Sequence, residues 1–259
     1  MKIATFNING IKARLDALLD WLDAAKPDVA CLQEIKSVDE AFPRAVLEAK
    51  GWHVETHGMK AFNGVAILSR LPLEDVTRRL PGDETDAHAR WIEATVVGER
   101  RVRVCGLYLP NGNPAPGPKY DFKLAWLARM ETRVRDLLTT EQPLVFCGDY
   151  NIIPEAEDAA HPEDWKTDAL FLPASRAAYF RMVNFGLTDA IRVRDGGPGV
   201  YTYWDFQRGA WERNNGIRID HLLLSPQAAD LLVGTGIDKS VRGRDKPSDH
   251  VPAWIELDA

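Results

Sequence analysis

A chain of 259 residues, 45% of them hydrophobic, is long enough for one large α/β domain that buries roughly three-quarters of its unfolded surface. No apolar run approaches the ~18 residues of a membrane span, and the first residues enter a strand at once, so neither a transmembrane helix nor a signal peptide is expected. The formal net charge of −6 excludes a uniformly basic surface, so a polyanionic partner would have to be held by cations gathered locally.

Ile3-Ala4-Thr5-Phe6 opens a strand over 3–7 that leads into Asn7 and Asn9, and a helix pattern over 15–25 follows. Val29-Ala30-Cys31-Leu32 lies in a strand over 28–33 and leads into Gln33, Glu34 and Lys36. A helix is predicted over 41–50, then Asn63-Gly64 as a turn before a strand over 64–69. Strands over 91–97 and 102–108 come next, the second leading into Tyr108, Pro110 and Asn111, and a helix spans 121–139. Leu144-Val145-Phe146-Cys147 runs through Gly148 to Asp149, closing a strand over 144–149 with Asn151 just beyond. Successive side chains of an extended chain alternate faces, so Asp149 and Asn151 point one way and Tyr150 the other. After a helix over 175–185, Ile217 and Ile219 flank Arg218, and Asp220 opens the apolar run of a strand over 219–225. Ser248-Asp249-His250 precedes the last strand, 251–257. The segments 110–118 and 196–199 read as surface loops on one domain, 1–259, without a linker or repeat.

Asn, Glu, Tyr, Asp and His placed at strand ends describe one converging site better than unrelated loops, since a buried acid needs a cation, a partner or a task. The set is rich in oxygen and suits a hard cation such as Mg2+, with Mn2+ as a substitute. Much of the negative charge is local: residues 155–168 hold six acids and one Lys. Arg208, Arg213, Arg218, Arg242, Arg244 and Lys246 place positive charge beside the proposed site. Cys31, Cys105 and Cys147 all lie in apolar runs with no C-x-x-C pair, which reads as buried thiols in a reducing cytoplasm.

Thr5-Phe6-Asn7-Ile8-Asn9-Gly10, Leu32-Gln33-Glu34-Ile35-Lys36, Tyr108-Leu109-Pro110-Asn111-Gly112, Gly148-Asp149-Tyr150-Asn151, the string from Asn214 to Ser225 and Ser248-Asp249-His250 carry a family resemblance from residue 5 to residue 250. The chain resembles the exonuclease III family of abasic-site endonucleases, within the endonuclease/exonuclease/phosphatase superfamily that includes DNase I. The strings around Glu34 and Asp220 are specific to the abasic-endonuclease branch; Gly-Asp-x-Asn and Ser-Asp-His mark only the superfamily.

That resemblance implies a four-layer α/β sandwich, two packed sheets flanked by helices, with the site where strand ends and loops meet. It implies metal ligation by Glu34, with Asn7 as ligand or orienting amide and Asp249 as a second ligand or positioning group. Asp149 would orient or deprotonate the attacking water, and Asn151 would stabilise charge on the phosphate; these two and His250 also face the metal. His250 would be held by Asp220, and Tyr108 would meet the phosphate as a donor or, alternatively, as a phenolate. Asn9, Lys36 and Asn111 would contact the substrate. Tyr203, Trp204, Ile217 and Ile219 would wall a small apolar pocket for a sugar lacking its base, although the family's usual aromatic or Leu is Ile at position 217. Gln207 and Arg208 occupy the turn expected to wedge into the duplex. His53, His57, His88, His161 and His221 are expected to have no catalytic part.

The expected activity is Mg2+-assisted hydrolysis of duplex DNA 5′ to abasic sites, leaving a 3′ hydroxyl, with 3′–5′ exonuclease and 3′-end trimming by the same site. The expected setting is a monomer in the cytoplasm, associated with the nucleoid when acting on DNA. A lipid or inositol-polyphosphate phosphatase would lack the string around Asp220, and a non-catalytic DNA-binding module would have lost some of Glu34, Asp149, Asn151 or His250.

Overall fold

In the computed structural model, which describes residues 1–259, two six-stranded sheets lie face to face. The first contains β1 (Lys2–Asn7), β2 (Val29–Gln33), β3 (His53–His57), β4 (Val65–Ser69), β11 (Leu232–Ile237) and β12 (Ala253–Leu257), in the order β11-β12-β1-β2-β4-β3. The second contains β5 (Leu73–Arg78), β6 (Trp91–Val97), β7 (Arg101–Tyr108), β8 (Leu144–Asp149), β9 (Thr188–Asp189) and β10 (Asp220–Leu224), in the order β5-β6-β7-β8-β10-β9. Parallel pairs β1–β2 and β7–β8 sit inside otherwise antiparallel sheets.

The inner strands are near-continuous apolar runs because both of their faces are covered. Alternation sorts each strand between two layers. Ile3, Val29 and Cys31 face the other sheet and meet Val104, Val145 and Leu222 there. Ala4, Phe6 and Leu32 face outward against Leu18, Trp21 and Leu22 of α1 (Ile11–Ala25). On the far side, Leu107 and Phe146 pack against Trp126, Met130 and Val134 of α3 (Pro118–Leu138) and Tyr179 and Met182 of α4 (Pro173–Asn184). Helix, sheet, sheet and helix make the four layers expected of the α/β sandwich. Short helices α2 (Arg44–Glu48), α5 (Ala190–Arg194) and α6 (Pro226–Ala229) complete the chain.

Two expectations need correction. The helix expected over 41–50 is a 3-10 turn at Asp39–Ala41 followed by α2, because Pro43 cannot donate a backbone hydrogen bond and restricts the residue before it. Strands β3, β5, β9 and β11 were not anticipated, and they form the four outer edges of the two sheets.

The pairing brings the functional segments to one rim of the sandwich. β1, β2, β7 and β8 end there, while antiparallel β10 and β12 begin there: Asn7 pairs with Gln33, Tyr108 with Asp149, and Asp149 with Asp220. Gly148 is required at this rim. A Cβ on it would come within 1.9 Å of the Leu107 carbonyl oxygen. Beyond the strand ends, Asn9, Glu34, Lys36 and Asn151 adopt left-handed backbone conformations, with φ of 48°, 50°, 50° and 47°. Such residues cluster where the surrounding structure holds the chain for a purpose.

Candidate active site

The rim encloses a cavity of ≈ 230 Å³ with a polar wall and an apolar wall. Behind the polar wall Asn7, fully buried, bridges the two sheets: its amide nitrogen donates to Glu34 Oε1 and to Asp149 Oδ2, each at 3.0 Å. Its side-chain oxygen accepts from the Asn9 amide at 3.0 Å, which makes it an orienting group. Glu34 Oε1 also accepts the Tyr108 hydroxyl at 3.0 Å, and Lys36 Nζ lies 2.9 Å from Oε2. Burial alone would raise the Glu34 carboxyl, but the Asn7 amide and Lys36 outweigh it and hold it below its ordinary value, hence ionised. Burial and the Glu34 charge push the Tyr108 phenol well up, which favours the protonated, donating form. Asn9 links Asp249, whose Oδ1 accepts from Asn9 Nδ2 at 2.9 Å, to Lys36, which donates to Asn9 Oδ1.

Asp149, His250 and Asp220 form a buried row. His250 Nδ1 lies 2.8 Å from Asp220 Oδ2, and its Nε2 lies 3.7 Å from Asp149 Oδ2. Asp220 Oδ1 is buried without a partner. Burial would lower His250, but Asp220 and then Asp149 outweigh it and raise the imidazole to about 10. Burial raises Asp149 to about 7, opposed by His250 and assisted by Asp220. The second sheet thus presents an imidazolium and a carboxyl that titrates near neutrality. Asn151 donates its backbone N–H to Asp149 Oδ1 at 2.9 Å and its side-chain N–H to the Leu109 carbonyl at 3.0 Å, while Asn111 Nδ2 donates to its Oδ1 at 3.1 Å. One side-chain N–H of Asn151 is left for the cavity.

Ile217, Ile219 and Tyr203 line the apolar wall as expected, with Trp165 and Leu170 beside them. Backbone bridges join Tyr203 to both Ile217 and His250, and the Tyr203 ring meets the imidazole edge-on at 5.0 Å. Trp204 is not part of this wall. It is fully buried in the layer under α1, edge-on to Trp211 at 5.0 Å, because its neighbour on the same extended segment takes the cavity face. Gln207 and Arg208 lie outside the cavity on the exposed turn, where they line an adjoining hollow of ≈ 410 Å³ that shares Trp165, Tyr203 and Ile217.

Two of the cations assigned to the site's surroundings are structural. Arg218 is 1% exposed and bound to Asp158 and Asp189; Arg242 is buried with its guanidinium directed at the Trp204 carbonyl. Arg208, Arg213, Arg244 and Lys246 remain exposed. Asn113 and Asp168, which also line the cavity, were not anticipated, nor were four further residues near the site. Trp165 and Leu170 come from a loop that no periodicity marks. Arg90 sits behind Tyr108, donating to its carbonyl at 3.1 Å with the guanidinium 4.7 Å from its ring. Lys123 did carry a signal: it interrupts the buried stripe Tyr120, Leu127, Met130, Val134 of α3 at a position where an apolar residue belongs.

Glu34, Asp149 and Asp249 around one cavity, with Asn7 ordering two of them, form a carboxylate set of the kind a hard divalent cation takes. Asp149, Asp220 and His250 also fall within 4.8 Å of one another through their ligand atoms, but both imidazole nitrogens of His250 already face carboxylates. His250 is therefore better suited to hold a proton than a metal.

Fold and site together define a hydrolase of phosphoric esters built on a two-sheet sandwich. The sequence model of the Endonuclease/Exonuclease/phosphatase family matches residues 4–250, and the chain belongs to that family. Exodeoxyribonuclease III of Haemophilus influenzae is 35% identical over 266 residues, covering 99% of this chain and all of that one. Among solved structures, an AP endonuclease from Archaeoglobus fulgidus superposes with a TM-score of 0.95 at 36% identity, covering 100% of both chains. The 3′ phosphatase NExo from Neisseria, bound to a product DNA hairpin, superposes at 0.96 with 37% identity and the same coverage. No helix of the chain is long and apolar enough to cross a membrane.

Proposed function

We propose that this chain is a Mg2+-dependent DNA-repair nuclease, one domain over 1–259, that hydrolyses the phosphodiester 5′ to abasic sites in duplex DNA. The observation that carries this reading is the two-sided cavity: Asp149 and His250, with Asp220 behind the imidazole, face Ile217, Ile219 and Leu170 across ≈ 230 Å³. That volume is below the ~300–1,000 Å³ usual for drug-sized ligands, and it suits a sugar phosphate without its base better than a whole nucleotide. Names of full-length relatives, an exodeoxyribonuclease and an AP endonuclease, support the same substrate class.

Glu34, with Asp249 and the Asn7-bonded oxygen of Asp149, would hold the Mg2+. When bound, that ion supplies charge neutralisation to the phosphate oxygens. Asp149, near neutrality in its titration, orients the attacking water and accepts its proton. The His250 imidazolium keeps Nδ1–H on Asp220 and offers Nε2–H to a phosphate oxygen. At 3.7 Å from Asp149 it lies beyond a direct hydrogen bond, leaving that proton for the substrate. The free N–H of Asn151 meets a second phosphate oxygen, a role worth ~10²–10³ in rate. Water attacks phosphorus as Asp149 takes its proton, the bond to the 3′ oxygen breaks, and that oxygen takes up a proton from solvent, giving a 3′ hydroxyl and a 5′ deoxyribose phosphate. Tyr203, Ile217 and Ile219 select the base-free sugar. The same groups would trim 3′ blocking groups and nucleotides. Asn9, Lys36 and Asn111 border the phosphate, and Gln207 and Arg208 meet the duplex with Arg213, Arg244 and Lys246. We place the enzyme in the cytoplasm as a monomer.

The test compares a duplex with one abasic site, an intact duplex and an inositol phosphate, each with Mg2+ and with excess chelator. Mg2+-dependent incision at the abasic site is expected. Full activity in chelator would sink the metal assignment, and faster turnover of the inositol phosphate would sink the DNA assignment.

A further inference from the structure

Lys123 is the one lysine of the chain with no exposure at all, and it makes no ion pair with any carboxylate. Its ammonium instead donates to three backbone carbonyls: Asn111 at 3.0 Å, Asn151 at 2.6 Å and Ala169 at 3.1 Å. An ammonium has three protons, so each carbonyl takes one. Burying a cation with only the more distant Asp168 and Asp149 to offset it is costly, and an apolar side chain of similar length would serve the α3 core better. The three carbonyls belong to three separate segments, the ones following β7, following β8 and preceding α4. Asn113 braces the same segments from the side, donating to Asp168 at 2.9 Å and accepting from the Ala169 amide at 3.1 Å. The chain is shaped around the lysine: a Cβ on Gly112, at φ +91°, would stand 2.7 Å from Lys123 Cδ.

We infer that Lys123 is a positioning residue for phosphoester hydrolysis, holding the Asn151 and Asn111 amides in place by anchoring their main-chain carbonyls from beneath. Asn151 is left-handed, so its carbonyl turns inward to Lys123 while its side chain turns to the cavity. The Asn111 side chain then fixes the Asn151 amide through its oxygen. Lys123 touches no substrate. It sets the rotation of a peptide unit whose side chain does.

The inference rests on the reading of Asn151 as a phosphate donor, and a double-mutant cycle separates the two. Steady-state kinetics on an abasic duplex and melting temperatures are measured for Lys123→Met, Asn151→Ala and the double variant, with Lys123→Gln, which keeps two donor protons, as the milder change. Lys123→Met should lower kcat ~10–100-fold with KM within about threefold of wild type, since the exposed arginines still bind DNA. Lys123→Gln should fall between the two. The double variant should be no slower than Asn151→Ala alone within about threefold, because both changes remove one device. If the losses multiply instead, or if kcat survives in both Lys123 variants, Lys123 is only a packing residue and the inference fails alone. If Asn151→Ala retains wild-type turnover, the reading of Asn151 fails and takes the inference with it.

Discussion

Two buried charge networks lie side by side in this protein, and they have opposite characters. In one, Arg218 is clasped by Asp158 and Asp189 and touches His221, Arg192 adds a second cation to Asp158, and His221 Nε2 meets the Ile152 carbonyl at 2.9 Å. In the other, Asp149, Asp220 and His250 bring two carboxylates to one imidazole, leave Asp220 Oδ1 unpartnered and open onto a cavity. In the first network every carboxylate has a cation and only Arg192 Nε lacks a partner, and its Asp189 is held below the usual carboxylate range by Arg218 against the effect of burial. The second carries spare charge, and its Asp149 and His250 are both pushed upward. Burial of charge marks neither function nor stability by itself. Unspent hydrogen-bonding capacity facing a cavity is what separates them.

Substitutions should therefore split the two networks. Asp149→Asn keeps the shape and removes the charge; if Asp149 is the base or water-orienter proposed above, turnover should fall ~10²–10⁴-fold while abasic-DNA affinity and melting temperature hold or rise. Turnover within a few-fold of wild type would reduce Asp149 to a structural cap. Arg218→Met should do the reverse, costing about 3–5 kcal/mol of stability by stranding the buried Asp189 and leaving Asp158 to Arg192 alone. Per folded molecule its kcat should change little, and a large kcat loss at a temperature where it is fully folded would erase the distinction.

A third contrast uses pH. Burial and Arg218 lower His221 from 6.5 to about 4, so the unfolded chain binds its proton first as pH falls. Stability from this group is complete above pH 6.5 and drains away between 6.5 and 4, by on the order of 3 kcal/mol. Urea melts over that range should show a shallower slope for His221→Gln than for wild type; equal slopes would refute the assignment. His250 behaves in the opposite sense, protonated until about 10 because Asp220 and Asp149 outweigh burial. Asp220→Asn should bring the alkaline limb of kcat down toward neutrality, giving about a tenfold extra loss at pH 9 relative to pH 7. An unmoved alkaline limb would mean that His250 does not act as an imidazolium.

The inner strands were legible because both faces are buried and their runs are apolar. The four strands that were missed are all sheet edges. β3 alternates as His53-Val54-Glu55-Thr56-His57, β5 is Leu73-Glu74-Asp75-Val76-Thr77-Arg78, β11 contains Gly234 and Gly236, and β9 has two residues. Charges, glycines and shortness keep an edge from pairing with other chains, and the same features hide it from a search for hydrophobic runs. The rim residues were legible because acids and amides at the ends of buried strands stand out. Trp204 was misplaced because an aromatic beside a pocket and an aromatic in the core read alike, and only the alternation about Tyr203 decides which face each takes. The partners of Arg218 are 60 and 29 residues away in the chain, a separation that leaves no local signal.

Asn7 belongs to one sheet and Asp149 to the other, as do Glu34 and Tyr108, and their hydrogen bonds stitch the rim shut across the gap. The catalytic geometry is thus a gauge of how the two sheets sit on each other. A void opened deep between them, at Val29 or Val145 for instance, would be felt at the rim as a slip of one sheet against its neighbour. Enzymatic rate in such a protein reports on the alignment of its core, well before the core itself gives way.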